Sequence, residues 1–243
     1  MGKFKVLSTK RLDPSLVEQA GERGVAVLER DAISVQPIVS EDVFQQLVPW
    51  LKKPAPTYAV FTSANGVGAV QQNLLHKGVA QSPDWKVFCI SGKTKKAVLS
   101  AFPSAEILAT SGYGAQLAQH ILEQGGVKEV VFFSGNKRRE ELPAILTDAG
   151  IDVHEITVYQ TEETPSPVEE DLDAVLFFSP SGVSSFFSVN GLKKEAVCFA
   201  IGRTTAEAIA LYTPNQIITS ETTSVESVLD AVYHYTQTIN CSK

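Results

Sequence analysis

The residues of this 243-residue chain that could act on a ligand are small hydroxyls, glycines and short basic runs, gathered where apolar segments end. Thr62, Ser63 and Asn65 follow Val60-Phe61, Gly92-Lys93-Thr94 follows Val87-Phe88-Cys89-Ile90, and Lys137-Arg138-Arg139 follows Phe132-Phe133. A second set repeats the theme: Ser179, Ser181 and Gly182 after Phe177, Gly202-Arg203-Thr204-Thr205 after Phe199-Ala200, and Lys10-Arg11 after Val6-Leu7. Such groups suit an anion, because hydroxyls and backbone N–H groups donate to it, glycine lets it approach the main chain, and Lys or Arg neutralises it. Each has a plainer use as well. A Ser, Thr or Asn at a helix start caps the helix, contributing about 0.5–2 kcal/mol, and a short basic run is commonly solvated surface. A cap and an anion site draw on the same outward N–H groups, and the doubling of the pattern raises the odds of a ligand.

Other chemistries lack their residues. No Gly-x-x-x-x-Gly-Lys-Ser/Thr or Gly-x-Gly-x-x-Gly is present, and Gly112-Tyr113-Gly114 is only a fragment of the latter, which argues against an NAD or nucleotide-sugar enzyme. There is no Gly-x-Ser-x-Gly elbow. The four histidines and three cysteines form no metal-ligand spacing, so no metal is expected. Cys89, Cys198 and Cys241 read as buried thiols of a reducing compartment. A net charge of −6 lacks the footprint of a nucleic-acid binder. The longest apolar runs, such as 174–178, fall far short of the roughly 20 residues of a membrane helix. Met1 to Arg11 contains no apolar signal core, so a cytoplasmic location is expected. What remains is Tyr159, in Val158-Tyr159-Gln160-Thr161. A tyrosine there is by default an amphipathic core residue, but its phenol could also protonate a leaving hydroxide.

The elements that must position these groups are short apolar strands alternating with amphipathic helices, an α/β pattern with parallel sheets. Val60 to Val67 recurs at Phe177 to Val183, Val87 to Thr94 at Val197 to Thr205, and Ile107 to Leu122 at Ile217 to Val232. A shorter block, Val6 to Arg11 with a helix and then Gly24, recurs as Phe132 to Arg139 with a helix and then Gly150. The chain therefore reads short block, long block, short block, long block. A simple tandem fits that order, but the favoured reading is a swap: residues 1–35 plus 164–243 form a discontinuous domain, 38–158 an inserted one, and 33–39 with 157–163 a pair of connector strands. The two polar rims, if they face each other, would line an anion-binding cleft.

Phe-Thr-Ser-Ala-Asn-Gly-Val, Val-Tyr-Gln-Thr, Phe-Phe-Ser-Pro-Ser-Gly-Val and Ala-Ile-Gly-Arg-Thr-Thr-Ala, in this order and spanning Val6 to about Val232, resemble the uroporphyrinogen-III synthase family. The resemblance implies two similar parallel-sheet α/β domains, flavodoxin-like, joined by a two-stranded β connector. It implies a monomeric, cofactor-independent lyase of heme biosynthesis. Its substrate would be hydroxymethylbilane, a linear tetrapyrrole with eight carboxylates, handed over by hydroxymethylbilane synthase. Water leaves the terminal hydroxymethyl group, the last pyrrole ring inverts through a spiro intermediate, and the ring closes to uroporphyrinogen III. By position Tyr159 would assist hydroxide loss. Ser179, Ser181, Thr205 and their neighbours would bind carboxylates, with Thr62 and Ser63 equivalent in the other domain. The Gly92 loop departs from the pattern, with Lys95 where the family has threonine, so Thr94 or Lys95 would have to substitute. The reading outside the family is a two-lobed small-anion binding or sensor module without turnover.

Overall fold

The structure is a computed structural model that describes residues 3–52, 56–79 and 81–241, with side chains of the last helix described to residue 239. In chain order its elements are β1 (Phe4–Ser8), α1 (Pro14–Glu22), β2 (Val25–Glu29), β3 (Ile33–Pro37), α2 (Glu41–Leu51), β4 (Thr57–Phe61) and α3 (Ala64–His76). There follow β5 (Trp85–Ile90), α4 (Lys93–Ala101), β6 (Glu106–Ser111), α5 (Gly114–Gln124), β7 (Glu129–Gly135), α6 (Glu141–Asp148) and β8 (Asp152–Glu163). The chain ends with β9 (Ala174–Phe177), α7 (Pro180–Phe187), β10 (Val197–Ala200), α8 (Arg203–Ala210), β11 (Ile217–Thr219) and α9 (Val225–Cys241).

These elements form two compact units, one of Met1–Ser34 with Glu162–Lys243 and one of Val35–Thr161. The chain passes between them inside β3 and inside β8. The discontinuous unit holds a parallel sheet in the order β2-β1-β9-β10-β11, which is the flavodoxin strand order. The inserted unit holds β3-β8-β7-β4-β5-β6, with the β8 to β6 ladders parallel. With β8 and β7 read as counterparts of β2 and β1, the two spatial orders are the same.

The continuous apolar strands follow from burial on both faces. In β4, Ala59 and Phe61 point into one core cluster and Val60 into another; in β9, Ala174 and Leu176 part from Val175 and Phe177 in the same way. Period-two alternation thus feeds two helix layers from one strand. The inserted unit's larger core is aromatic: Phe61 and Phe133 have ring centroids 4.9 Å apart, and Trp85 lies 5.3 Å from Phe133 and 5.4 Å from Phe102.

The second crossing strand extends well into the sheet of the inserted unit. Residues 157–163 are no separate strand; they are the far end of β8, one 12-residue strand that pairs with β7 from Asp152 to Tyr159. No glycine or proline interrupts Asp-Val-His-Glu-Ile-Thr-Val-Tyr-Gln-Thr-Glu-Glu, and its β-branched residues keep it extended. Beyond each crossing an asparagine grips the chain. Asn73 donates to Ile38 O (2.8 Å) and Ala69 O (2.9 Å) and accepts from Ser40 N (3.2 Å). Asn190 donates to Ser166 O (3.0 Å) and Phe186 O (2.9 Å) and accepts from Val168 N (2.8 Å).

Candidate active site

In a sheet of this order, ligands gather beyond the strand carboxyl ends at the point where the winding reverses. In the inserted unit that point lies between β7 and β4, and a cavity of about 310 Å³ opens there. Thr62 and Ser63 reach it from the end of β4, Lys137, Arg138 and Arg139 from the loop after β7, and Tyr159 from β8. The sheet topology therefore unites side chains that the sequence scatters over almost a hundred residues. Asn65, exposed on the first turn of α3, and Thr94 lie outside the lining.

Ser63 is the N-cap of α3, accepting from Asn65 N at 3.2 Å. Accepting a bond leaves the hydroxyl proton available to a carboxylate, so cap and ligand contact are compatible. Arg138 is already engaged. Its Nε bonds Glu155 Oε1, its Nη2 lies 2.5 Å from Glu155 Oε2, and Ser134 Oγ donates to the same carboxylate at 2.5 Å. The buried Nη1 sits 2.6 Å from Glu140 Oε2 as an ion contact without hydrogen-bond geometry. The Arg138 guanidinium, and after it the Ser134 hydroxyl, hold the Glu155 carboxyl below the usual range, and Glu155 in turn raises Arg138. Arg138 thus stands at the cavity wall with its fork occupied and its charge balanced by carboxylates.

Tyr159 is half-buried, its ring lying against Gly135 at the end of β7 and Gly66 on α3. The ladder between β7 and β8 shifts here: Ser134 pairs with Thr157, but Gly135 pairs with Tyr159. Such irregularities re-aim a side chain next to a site.

The discontinuous unit repeats the arrangement between β1 and β9. Ser179 caps α7, accepting from Gly182 N at 3.1 Å, with Ser181 half-buried on the first turn. Gly182 is buried; a Cβ there would lie 3.3 Å from Ser179 Oγ and 3.6 Å from Thr9 Oγ1. Gly202 caps α8, Arg203 is exposed and paired with Glu207 at 2.7 Å, and Thr204 is half-buried. Thr205 and Thr94 are buried at 4% and 5% exposure, whereas Lys95, which stands where the other loop has Thr205, is exposed. Arg11 is largely exposed, 3.4 Å from Asp31, and the Lys10 ammonium lies 4.3 Å from the centroid of the Phe178 ring.

Sequence reasoning misses Gly135, Gly66, Ser134 and Glu155, because nothing in a linear reading pairs them with Tyr159 or Arg138. The Gly112-Tyr113-Gly114 turn reads in the sequence only as an incomplete nucleotide motif, yet it lines the cavity. Burial raises the Cys89 thiol to about 11 and the Cys198 thiol to about 12. The side chain of Cys241 lies outside the described ones. Among the described residues, no three His, Cys, Asp or Glu side chains are placed to hold a metal, and no helix is long and apolar enough to cross a membrane.

The family model described as uroporphyrinogen-III synthase HemD matches residues 14–230. Among solved structures, uroporphyrinogen-III synthetase from Helicobacter pylori superposes with a TM-score of 0.67 at 17% identity, over 96% of this chain and 99% of that one. A mutant uroporphyrinogen III synthase from the extremely thermophilic bacterium Thermus thermophilus gives 0.68 at 16% identity, over 98% and 99%. At such identities the likeness is one of fold. Comparison with curated protein sequences gives no match.

Proposed function

The chain belongs to the uroporphyrinogen-III synthase family, and from that premise we propose how its own residues serve the reaction. The activity is that of a cyclising lyase: hydroxymethylbilane loses water, its terminal pyrrole ring inverts, and uroporphyrinogen III is formed. We place this chemistry at the cavity between β7 and β4. The observation that carries the placement is the convergence there of the Tyr159 phenol, the Thr62 and Ser63 hydroxyls and the Lys137 to Arg139 run.

An electron-rich pyrrole expels hydroxide readily, so the protein has chiefly to hold the chain and control which carbon attacks. In our reading Tyr159 donates its phenolic proton to the departing hydroxide, which leaves as water. The proton released when the new ring bond rearomatises restores the phenol. Thr62 and Ser63 donate to substrate carboxylates, Asn65 and the Thr94 turn extend the same rim, and Arg138, its charge matched by Glu155 and Glu140, fixes the loop after β7 at the cavity wall. In the other unit Ser179, Ser181 and Gly182, then Gly202, Arg203, Thr204 and Thr205, with Arg11, form the equivalent carboxylate-binding turns. The two N-cap serines are the strongest of these, because each retains a hydroxyl proton at a helix N-terminus, where anions are favoured. The enzyme in this reading works in the cytoplasm as a monomer on substrate handed over by hydroxymethylbilane synthase. The buried neutral thiols suit that compartment, and a light-scattering mass of two chains would reject the monomer.

The test of the site is Tyr159→Phe. General-acid assistance is worth about 10²- to 10⁴-fold, so kcat for isomer III should fall by roughly that factor, with KM and Tm little changed. A variant with wild-type kcat removes the acid role.

A further inference from the structure

We propose that Gly135 is a positioning residue for the reaction: its missing side chain is the seat that holds the phenol of Tyr159 at the cavity. The proposal rests on the reading of Tyr159 as proton donor. A Cβ built on Gly135 would fall inside contact distance of Tyr159 Cε2 and Cζ and 2.9 Å from the hydroxyl oxygen. On its other edge the ring faces α3, where a Cβ built on Gly66 would lie 3.7 Å from Tyr159 Cε1. Tyr159 is therefore held between two glycines, and the shifted register of β7 and β8 is what brings it opposite Gly135.

A glycine can be needed for its backbone or for its lack of a side chain. Gly135 is in strand β7 and is not among the glycines of left-handed φ, so its backbone conformation is open to any residue. The internal repeat separates the two reasons further. The matching strand end in the other unit reads Ser8-Thr9 where this one reads Ser134-Gly135. There β1 pairs with β2 in unbroken register, and the Thr9 side chain is buried, donating to Leu176 O at 2.8 Å. The strand end accepts a β-branched side chain where no tyrosine lies against it, and it is glycine where one does.

The test combines Gly135→Ala, Tyr159→Phe, Tyr159→Ala and the pairwise doubles, assayed on hydroxymethylbilane. Displacing a reacting group by an ångström costs on the order of 10²-fold, so Gly135→Ala should lower kcat by about that factor with KM little changed. In protein labelled with ¹³C-tyrosine, the Tyr159 ring signal, assigned by its loss in Tyr159→Phe, should move. Because Gly135 acts through the phenol, adding Gly135→Ala to Tyr159→Phe should lower kcat little further. Any Tm loss from Gly135→Ala should vanish in the Tyr159→Ala background, where the methyl has room. Gly68→Ala, on α3 with open space around its Cβ, is the control and keeps wild-type kcat. Gly135→Ala at wild-type kcat, or losses that simply multiply in the double variant, overturn the inference. If Gly135→Ala does not fold, recovery of folding in Gly135→Ala/Tyr159→Ala supports the seat, and failure of that double variant as well overturns it. Impairment in Tyr159→Phe beside a normal Gly135→Ala rejects this inference alone, whereas normal turnover in Tyr159→Phe rejects the proton-donor reading beneath it.

Discussion

Arg138 and Glu155 show how a side chain's identity understates its role. Read alone, Arg138 belongs to a basic run open to substrate or to water; in the fold its fork is closed on Glu155, with Ser134 donating to the same carboxylate. Because Glu155 is held below the ordinary glutamate value of about 4.3, its contribution to stability is present above that value and is lost as pH falls through the lower folded one. Glu155→Gln should therefore cost about 1–3 kcal/mol at neutral pH, and its Tm gap to wild type should close as the buffer is taken below about pH 4. A gap that stays constant down the acid limb would mean that the pair contributes nothing. The thiols follow the same logic. With Cys89 and Cys198 buried and raised, at least two more thiols should react with Ellman's reagent after unfolding than before it. Thr62, Ser63 and Tyr159, which line one cavity, were picked out by residue type and by the family pattern. Glu155 and Gly135 were not, because what they touch is set by the β7–β8 register.

At the scale of elements, a doubled strand–turn–helix module carries the design, and its two copies use one N-cap serine each, Ser63 and Ser179. Doubling made these turns readable, since a lone Ser before a helix carries little information. The strand ends were legible too, from apolar runs buried on both faces. The extent of β8 was not: a run without glycine or proline shows that a strand continues, but not that it serves a sheet and a crossing together. Nor were the asparagine clasps, because Asn73 and Asn190 fall near helix ends where either would pass as surface. Each holds one carbonyl and one N–H of the chain beside a crossing, and truncation strands those two groups. Asn73→Ala and Asn190→Ala should each cost about 1–3 kcal/mol, with hydrogen exchange rising first at Ser40 N in one and Val168 N in the other. Losses within experimental error would make the clasps decorative.

For the molecule as a whole, two units of matching strand order are interleaved in one chain, and each presents hydroxyls, glycines and backbone N–H groups at the turn where its sheet reverses. A chain of net charge −6 that acts on a polyanion must bind it locally, and these turns are where the local groups lie. The fold class and the family were readable in the sequence because four weak motifs recur in a fixed order; the cavity was not, because its walls come from β4, the loops after β6 and β7, and β8. In the cofactor-independent reading, turnover should survive dialysis against EDTA, and loss of activity restored by zinc or magnesium would contradict it. The central claim is that this chain turns hydroxymethylbilane into the inverted macrocycle. Hydroxymethylbilane left alone closes without inversion to isomer I, so the direct measurement is chromatography of the oxidised products after incubation with the purified protein. The account predicts that uroporphyrin III dominates and rises with enzyme concentration; a product mixture that stays isomer I, as in the enzyme-free control, would contradict it.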